Sequence, residues 1–276
     1  MKLPPDITLE VTAKCNFACP FCYCVWHEST APPPKDMSAD EWKKILDLCA
    51  EHKVKSVTFS GGEALLRKDL PELITYAKEV LPQAVLGVFT NNSRMTEEFF
   101  FFCKENKVLL STSLQGLQSY GMMTGTKRKY HRTLKLLTFA AENDWRFSVS
   151  LTATQANKHE FADMFCACAV SGVSHISMGP VMVQGRGRNH IELALSWEEW
   201  DTLKKRIRQL PNGNTPYSFS DEMLCICREQ PAELLARFAG TQHPPCPAGK
   251  NFGVISPDGK FRQCLHTVKE FEISGF

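Results

Sequence analysis

Hydrophobic positions recur at two periods that trade places along the first two thirds of the chain. Ile7, Leu9 and Val11 alternate with Thr8 and Glu10, the period of a half-buried strand, which predicts a strand ending just before Cys15. A helical pattern follows in SADEWKKILDLCAEH, with Ser38 as its cap and acids in its first turn. The run KSVTFS predicts a second strand that ends at Gly61-Gly62. The cycle then repeats through helix DLPELITYAKEV, strand AVLGVFTNN, helix TEEFFFFCKEN and strand VLLSTSLQG. Helix RTLKLLTFAAEND, strand FSVSLTAT, helix HEFADMFCACAVSG and strand VSHISMGPVM complete it. Six strands alternating with five helices up to about residue 183 imply parallel strands joined by right-handed crossovers. Six units fall short of an eightfold barrel. The expected architecture over residues 1–195 is therefore α/β, a doubly wound sheet or an open, partial barrel.

The pattern changes after GRGRNH. SWEEWDTLKKRIRQL reads as a helix capped by Ser196, and PNGNTP is a turn-rich break. Residues 196–276 form a separate C-terminal region, and its part beyond the break is too loop-rich to bury a large core alone, so a bound metal centre would supply the missing stability.

Composition narrows the picture. The chain has 276 residues, 43% hydrophobic and 22% charged, with a formal charge of +2. That balance gives no field favouring nucleic acid or an anionic membrane. MKLPPDITLEV lacks a signal-peptide pattern, and no apolar run approaches a membrane span. A cytoplasmic protein is expected. Twelve cysteines are then hard to read as a disulfide scaffold, because cytosolic thiols are kept reduced; metal or redox chemistry is the leading reading.

The cysteines fall in groups. Cys15, Cys19 and Cys22 stand as C-x3-C-x2-C in CNFACPFC, directly after the first strand. Zinc sites usually show paired C-x2-C knuckles. Three close thiols fit a [4Fe-4S] cubane with one iron left open. Cys24 reads as a small loop hydrophobe. Cys49, Cys103, Cys166 and Cys168 sit in helical patterns among apolar neighbours and read as packing residues.

CNFACPFC resembles the signature of the radical S-adenosylmethionine (SAM) enzymes. The resemblance implies a partial (β/α)6 barrel, a [4Fe-4S] cluster on Cys15, Cys19 and Cys22, and SAM chelating the open iron. It also implies reductive cleavage of SAM to a 5′-deoxyadenosyl radical that abstracts a hydrogen atom, with a flavodoxin- or ferredoxin-type reductant. Phe21, before the third cysteine, takes the place of the family's aromatic residue near the adenine. SGGEALLR, Ser60 to Arg67, resembles the family's GGEP motif with Ala64 replacing Pro. There Gly61 and Gly62 allow close backbone approach, and Glu63 or exposed carbonyls would pair with the SAM amine. By the same resemblance Asn91, at the end of the third strand with Thr90 and Asn92, would contact the ribose. Ser113, in STSLQG, would line the site, with Gln115 where many members have Asp. Arg186, in GRGR, would lie near the adenosine.

CPAGKNFGVISPDGKFRQC, from Cys246 to Cys264, carries a PDG turn between apolar runs and reads as a hairpin. It resembles the opening half of the SPASM domain, and without the second half it resembles the shortened twitch version, which holds one auxiliary iron-sulfur cluster. Cys225 and Cys227 are the nearest further ligands for that cluster; either could instead be a thiol that donates hydrogen to a substrate radical. His266 is an alternative ligand. The subfamily implies a ribosomally synthesised precursor peptide as substrate, with epimerisation or a thioether or carbon–carbon crosslink as outcome. With the first strand starting by about residue 6, leader recognition is expected on the barrel rim or from a separate protein. The rival readings are a radical SAM enzyme for a small molecule or protein side chain, and a non-catalytic iron-sulfur carrier or zinc module.

Overall fold

The computed structural model describes residues 2–27, 32–220 and 246–273. In chain order its strands are β1 (Asp6–Glu10), β2 (Ser56–Ser60), β3 (Val85–Thr90), β4 (Leu109–Ser113), β5 (Phe147–Ala153), β6 (His175–Pro180), β7 (Tyr217–Phe219), β8 (Phe252–Ile255), β9 (Phe261–Arg262) and β10 (Glu270–Phe271). The helices are α1 (Ala39–Glu51), α2 (Leu70–Val80), α3 (Glu97–Glu105), α4 (Tyr120–Thr124), α5 (His131–Glu142), α6 (Phe161–Val170) and α7 (Trp197–Arg208). The six expected strands and their connecting helices are all present in order, an α/β fold built on parallel strands.

The chain divides into two units. The first holds residues 1–16, 24–110 and 246–276. Its strands run in the order β10-β9-β8-β1-β2-β3. β8, β1, β2 and β3 are parallel, while β9 and β10 add antiparallel. Ile7, Leu9, Val57, Phe59 and Val88 are buried along these strands, as the alternation demands. Ser38 makes the full capping box with Glu41, satisfying the first N–H groups of α1 and turning Trp42, Ile45, Leu46 and Cys49 inward. The PDG turn forms as read: Ser256 N–H donates to the Lys260 carbonyl at 2.8 Å, and Gly259 takes the positive φ of 86° that the turn requires.

The second unit holds residues 17–23 and 111–245. Its strands run β4-β5-β6-β7, with β5, β6 and β7 parallel. β5 alternates buried and half-buried residues along its whole length. Ser196 forms a second capping box, with Glu199, and starts α7, which buries Trp200 and Ile207. The C-terminal region read over 196–276 is thus shared: α7 and β7 lie in this unit, and 246–273 in the first.

Candidate functional site

In the first unit the backbone that leads into Cys15 is pinned from three sides. Val11 N–H donates to the Ser60 carbonyl at 3.1 Å. Asp36 accepts from Thr12 Oγ1 at 2.6 Å and from Ala13 N–H at 2.8 Å. Arg67 donates through Nη1 to the Val11 and Met37 carbonyls, both at 2.8 Å, while Asp69 takes its Nε and Nη2. Neither Asp36 nor Arg67 carries a role in the sequence reading. Arg67 closes the quoted SGGEALLR segment, with its ion-pair partner two residues on, and that spacing is the signal for it.

Gly61 and Gly62 have a physical reason. Gly62 N–H donates to the Thr12 carbonyl at 2.8 Å and Glu63 N–H to that of Lys14 at 2.9 Å. A Cβ on Gly61 would lie 2.4 Å from the Thr12 oxygen, and one on Gly62 2.3 Å from that of Lys14. Gly61 also holds φ at 125°. The close approach that these glycines permit is to the chain entering Cys15.

Glu63 is buried and its carboxylate is fully engaged. Oε1 accepts from Leu65 N–H at 3.0 Å and from Thr90 Oγ1 at 2.5 Å; Oε2 accepts from Asn91 N–H at 2.6 Å. Burial raises its pKa above the ordinary carboxylate value, against the pull of these donors. The carboxylate thus fixes the end of β3. Asn91 Nδ2 donates to Asn16 Oδ1 at 3.1 Å and to Cys15 Sγ at 3.9 Å, and its Oδ1 accepts from Ser93 N–H at 2.9 Å. Asn16 Nδ2 donates to Ser93 Oγ at 2.8 Å. Cys24 is buried, with Sγ 3.9 Å from the Gly61 carbonyl.

In the second unit Cys19 and Cys22 are half-buried. Cys22 N–H donates to the Cys19 carbonyl at 3.2 Å. The GRGR segment forms a 3-10 turn over Gly185–Asn189. From it Arg186 Nη1 donates to the Cys19 carbonyl at 3.0 Å and Gly187 N–H to that of Cys22 at 3.4 Å. Phe21 is buried in an apolar cluster with Met123, Val181, Val183 and Ala194. Ala18 N–H donates to the Thr124 carbonyl at 3.0 Å, and Gly125, at φ 62°, leaves no room for a Cβ beside Ala18.

Ser113 ends β4 half-buried. The loop after it is organised by Glu160, which sequence reading missed. Its carboxylate accepts from the N–H groups of Leu117 at 3.0 Å, Gln118 at 2.7 Å and Ser119 at 3.2 Å, and from Ser119 Oγ. Burial works to raise this carboxyl, but the Ser119 hydroxyl and the backbone donors outweigh it and hold the pKa below the ordinary value. Asn157 Nδ2 ties the same loop to β5 through the carbonyls of Gln115 at 3.0 Å and Thr152 at 2.8 Å.

Toward the C-terminus Cys264 is buried and Cys246 exposed. His266 N–H donates to Cys264 Sγ at 3.4 Å. Burial, aided by the Arg262 charge, lowers the His266 pKa to about 4, so the ring is neutral at pH 7. Cys225 and Cys227 lie outside the described residues. Among the described residues, no three His, Cys, Asp or Glu side chains are grouped as a single metal ion would need. Cys49, Cys103 and Cys168 are buried, and burial pushes each thiol up to about 12, which fits the packing role read for them; Cys166 is half-buried. Among the described residues, no helix is long and apolar enough to cross a membrane.

An α/β fold of parallel strands whose first strand feeds a three-cysteine loop, braced by the turn after the second, defines the class. Residues 9–165 match the radical SAM superfamily, and the chain belongs to it. Among curated proteins it is similar to the sporulation killing factor maturation protein SkfB of Bacillus subtilis, 27% identical over 207 residues, covering 74% of this chain and 49% of SkfB. It is also similar to the Fe-coproporphyrin III synthase of Methanosarcina barkeri, 27% identical over 218 residues, covering 77% of this chain and 54% of that enzyme. The chain therefore spans about half the length of these curated relatives. Streptococcus suis SuiB bound to S-adenosylmethionine shares the fold, with a TM-score of 0.74 at 15% identity, over 98% of this chain and 63% of that one.

Proposed function

We propose that this chain is a radical SAM enzyme that modifies a ribosomally synthesised peptide. Cys15, Cys19 and Cys22 would hold a [4Fe-4S] cluster on which SAM binds. The residues fit such a group. The donor set is thiol-rich and half-buried, and an amide N–H is turned toward Cys15 Sγ, the surroundings that iron-bound sulfur takes. When bound, the cluster and SAM supply reductive cleavage of a sulfonium carbon–sulfur bond and hydrogen-atom abstraction.

The work of the protein is to orient and exclude. Asp36, Arg67 and the Gly61-Gly62 turn fix the approach to Cys15; Arg186 and Gly187 fix the carbonyls of Cys19 and Cys22. Phe21, packed in apolar surroundings, keeps water from its side of the loop. Ser60 and Ser113 end β2 and β4, and Glu63 and Asn91 follow the carboxyl ends of β2 and β3; ligands of parallel α/β folds gather at such ends, which supports a cofactor-binding role for them. The braced cysteine loop is the observation that carries this reading.

A second, auxiliary cluster would draw on Cys246 and Cys264, with Cys225 and Cys227 completing it or one of them serving as hydrogen donor. Residues 196–276 would be the region dedicated to it. A separate leader-recognition protein and a flavodoxin- or ferredoxin-type reductant are the partners this reading calls for. Peptide as the substrate class is supported by SuiB, whose structure with precursor peptide SuiA matches at a TM-score of 0.72, and by similarity to a PqqA peptide cyclase; SkfB is by name a sporulation killing factor maturation protein. The similarity to Fe-coproporphyrin III synthase favours a small-molecule substrate as the second reading.

The test is anaerobic reconstitution with iron and sulfide, reduction, and incubation with SAM. Formation of 5′-deoxyadenosine is expected, and its loss when Cys15, Cys19 and Cys22 are changed together to Ala. Wild-type protein that takes up iron as a cubane yet releases no 5′-deoxyadenosine would overturn the reading. A SAM-dependent mass change on a peptide, against one on a porphyrin, decides the substrate class.

A further inference from the structure

The Asn91 side chain, expected to contact the ribose, lies beside the first cysteine of the loop, with Nδ2 3.9 Å from Cys15 Sγ. We infer that Asn91 is a positioning residue that tunes the reduction potential of the cluster through an N–H···S hydrogen bond to Cys15. This inference rests on the reading that Cys15 is a cluster ligand.

An Asn amide carries two N–H donors and one carbonyl acceptor. All three are accounted for here. One N–H goes to Asn16 Oδ1 at 3.1 Å, and Nδ2 also lies 3.9 Å from Cys15 Sγ, within hydrogen-bond range for sulfur. The carbonyl accepts from Ser93 N–H at 2.9 Å. The amide orientation follows from these partners, because turning it over would set its N–H groups against the Ser93 N–H and its oxygen against Asn16 Oδ1. The backbone is equally fixed. Asn91 N–H is held by Glu63 Oε2 at 2.6 Å, and Asn16 is held by Ser93. The next residue, Asn92, adopts φ 55°, a left-handed turn that Asn tolerates better than most residues and that closes the NNS segment on the loop.

A donor fixed on a ligating sulfur has a direct electrostatic consequence. A one-electron reduction adds negative charge to the cluster, part of it on the thiolate sulfurs. An N–H dipole pointing at that sulfur stabilises the reduced form more than the oxidised one and raises the potential. At Cys264, by contrast, a backbone donor, His266 N–H, meets the sulfur at 3.4 Å.

The test is an EPR-monitored redox titration of the anaerobically reconstituted full chain, wild type against Asn91→Asp and Asn91→Leu. Asn91→Leu removes the donor, and a negative shift of the midpoint potential is expected. Asn91→Asp keeps the acceptor for Ser93 and the backbone bond to Glu63, removes the donor and adds a negative charge, so a larger negative shift is expected. Unchanged or raised potentials in both variants, with wild-type melting temperatures, would overturn the inference. So would variants that melt as wild type yet assemble no cluster, since the bond would then serve assembly and not potential. If Asn91→Leu fails to fold, Asn91→Asp alone decides. A wild type that assembles no cubane would sink the functional reading itself, a result distinct from unshifted potentials on a loaded protein.

Discussion

At the scale of single residues, Glu63 shows how a motif residue holds the chain around it. Three donors converge on its buried carboxylate, from Leu65, Thr90 and Asn91. Thr90 Oγ1 is itself committed, since it also accepts from Asn92 N–H at 2.9 Å. Glu63→Gln keeps the volume but replaces one acceptor oxygen with a donor NH2. With the amide nitrogen toward Asn91, two donors face each other; with it toward Leu65 and Thr90, the Leu65 N–H loses its acceptor. An unsatisfied buried donor costs about 1–3 kcal/mol. We expect Glu63→Gln to lower the unfolding free energy by about 2 kcal/mol in a urea titration, and Glu63→Asp, too short to reach both oxygens' partners, to lose a similar amount. A variant as stable as wild type would show that the three bonds contribute little.

At the scale of elements, Glu160 does the comparable work for the loop between β4 and α4. It gathers Leu117, Gln118 and Ser119 onto one carboxylate just before α4 begins. Its folded pKa lies below the ordinary value of 4.5, so the folded state favours the ionised form. The sign follows: the stabilisation is fully present above the unfolded pKa and is lost as pH falls through the depressed folded value. Measured against Glu160→Gln, the wild-type advantage should therefore hold from pH 7 to about 5 and shrink below 4.5, read from melting temperatures across that range. A constant gap down to pH 3 would contradict it. The same two carboxylates mark what the sequence makes legible. Strand and helix order, both Ser caps and the PDG turn rest on contacts within a few residues, and periodicity encodes them directly. The cysteine loop and the GGE turn stand out because their spacing is tied to chemistry. The GGE turn marks Glu63, but its bond to Asn91 spans 28 residues and is not written in that motif. Glu160 meets Leu117 across 43 residues, so no local pattern distinguishes it from a solvated surface acid. Asp36 is the same case, reaching Ala13 from a proline-rich connection. The short helix α4 was also missed, because YGMMT is too brief to show a helical period.

At the scale of the whole molecule, a separation of 252 residues in the first unit is closed by charge. Arg262, on β9, pairs through Nη2 with Glu10 at the end of β1, and both side chains are buried. Nη1 of the same Arg reaches the carbonyls of Leu265 and Thr267, both at 3.3 Å, and so shapes the turn that carries Cys264 and His266. β8 has already added in parallel to the edge of β1 that β2 leaves open, which the hairpin signal alone did not foretell. The ion pair thus sits where the last strands of the chain meet the strand that feeds the cysteine loop. Desolvating two charges offsets most of their attraction, so the pair adds little net stability over an apolar replacement, whereas removing one partner strands the other, at about 3–5 kcal/mol. Arg262→Met should accordingly cost several kcal/mol and release the turn around Cys264, seen as faster amide hydrogen exchange over residues 262–268. The double variant Glu10→Leu with Arg262→Met should regain most of the stability, because no charge is left buried alone, yet not the slow exchange, because the Leu265 and Thr267 carbonyls still lack their donor. Equal destabilisation in the single and double variants would mean that the two charges are not coupled, and that β8 and β9 are held to β1 by backbone pairing alone.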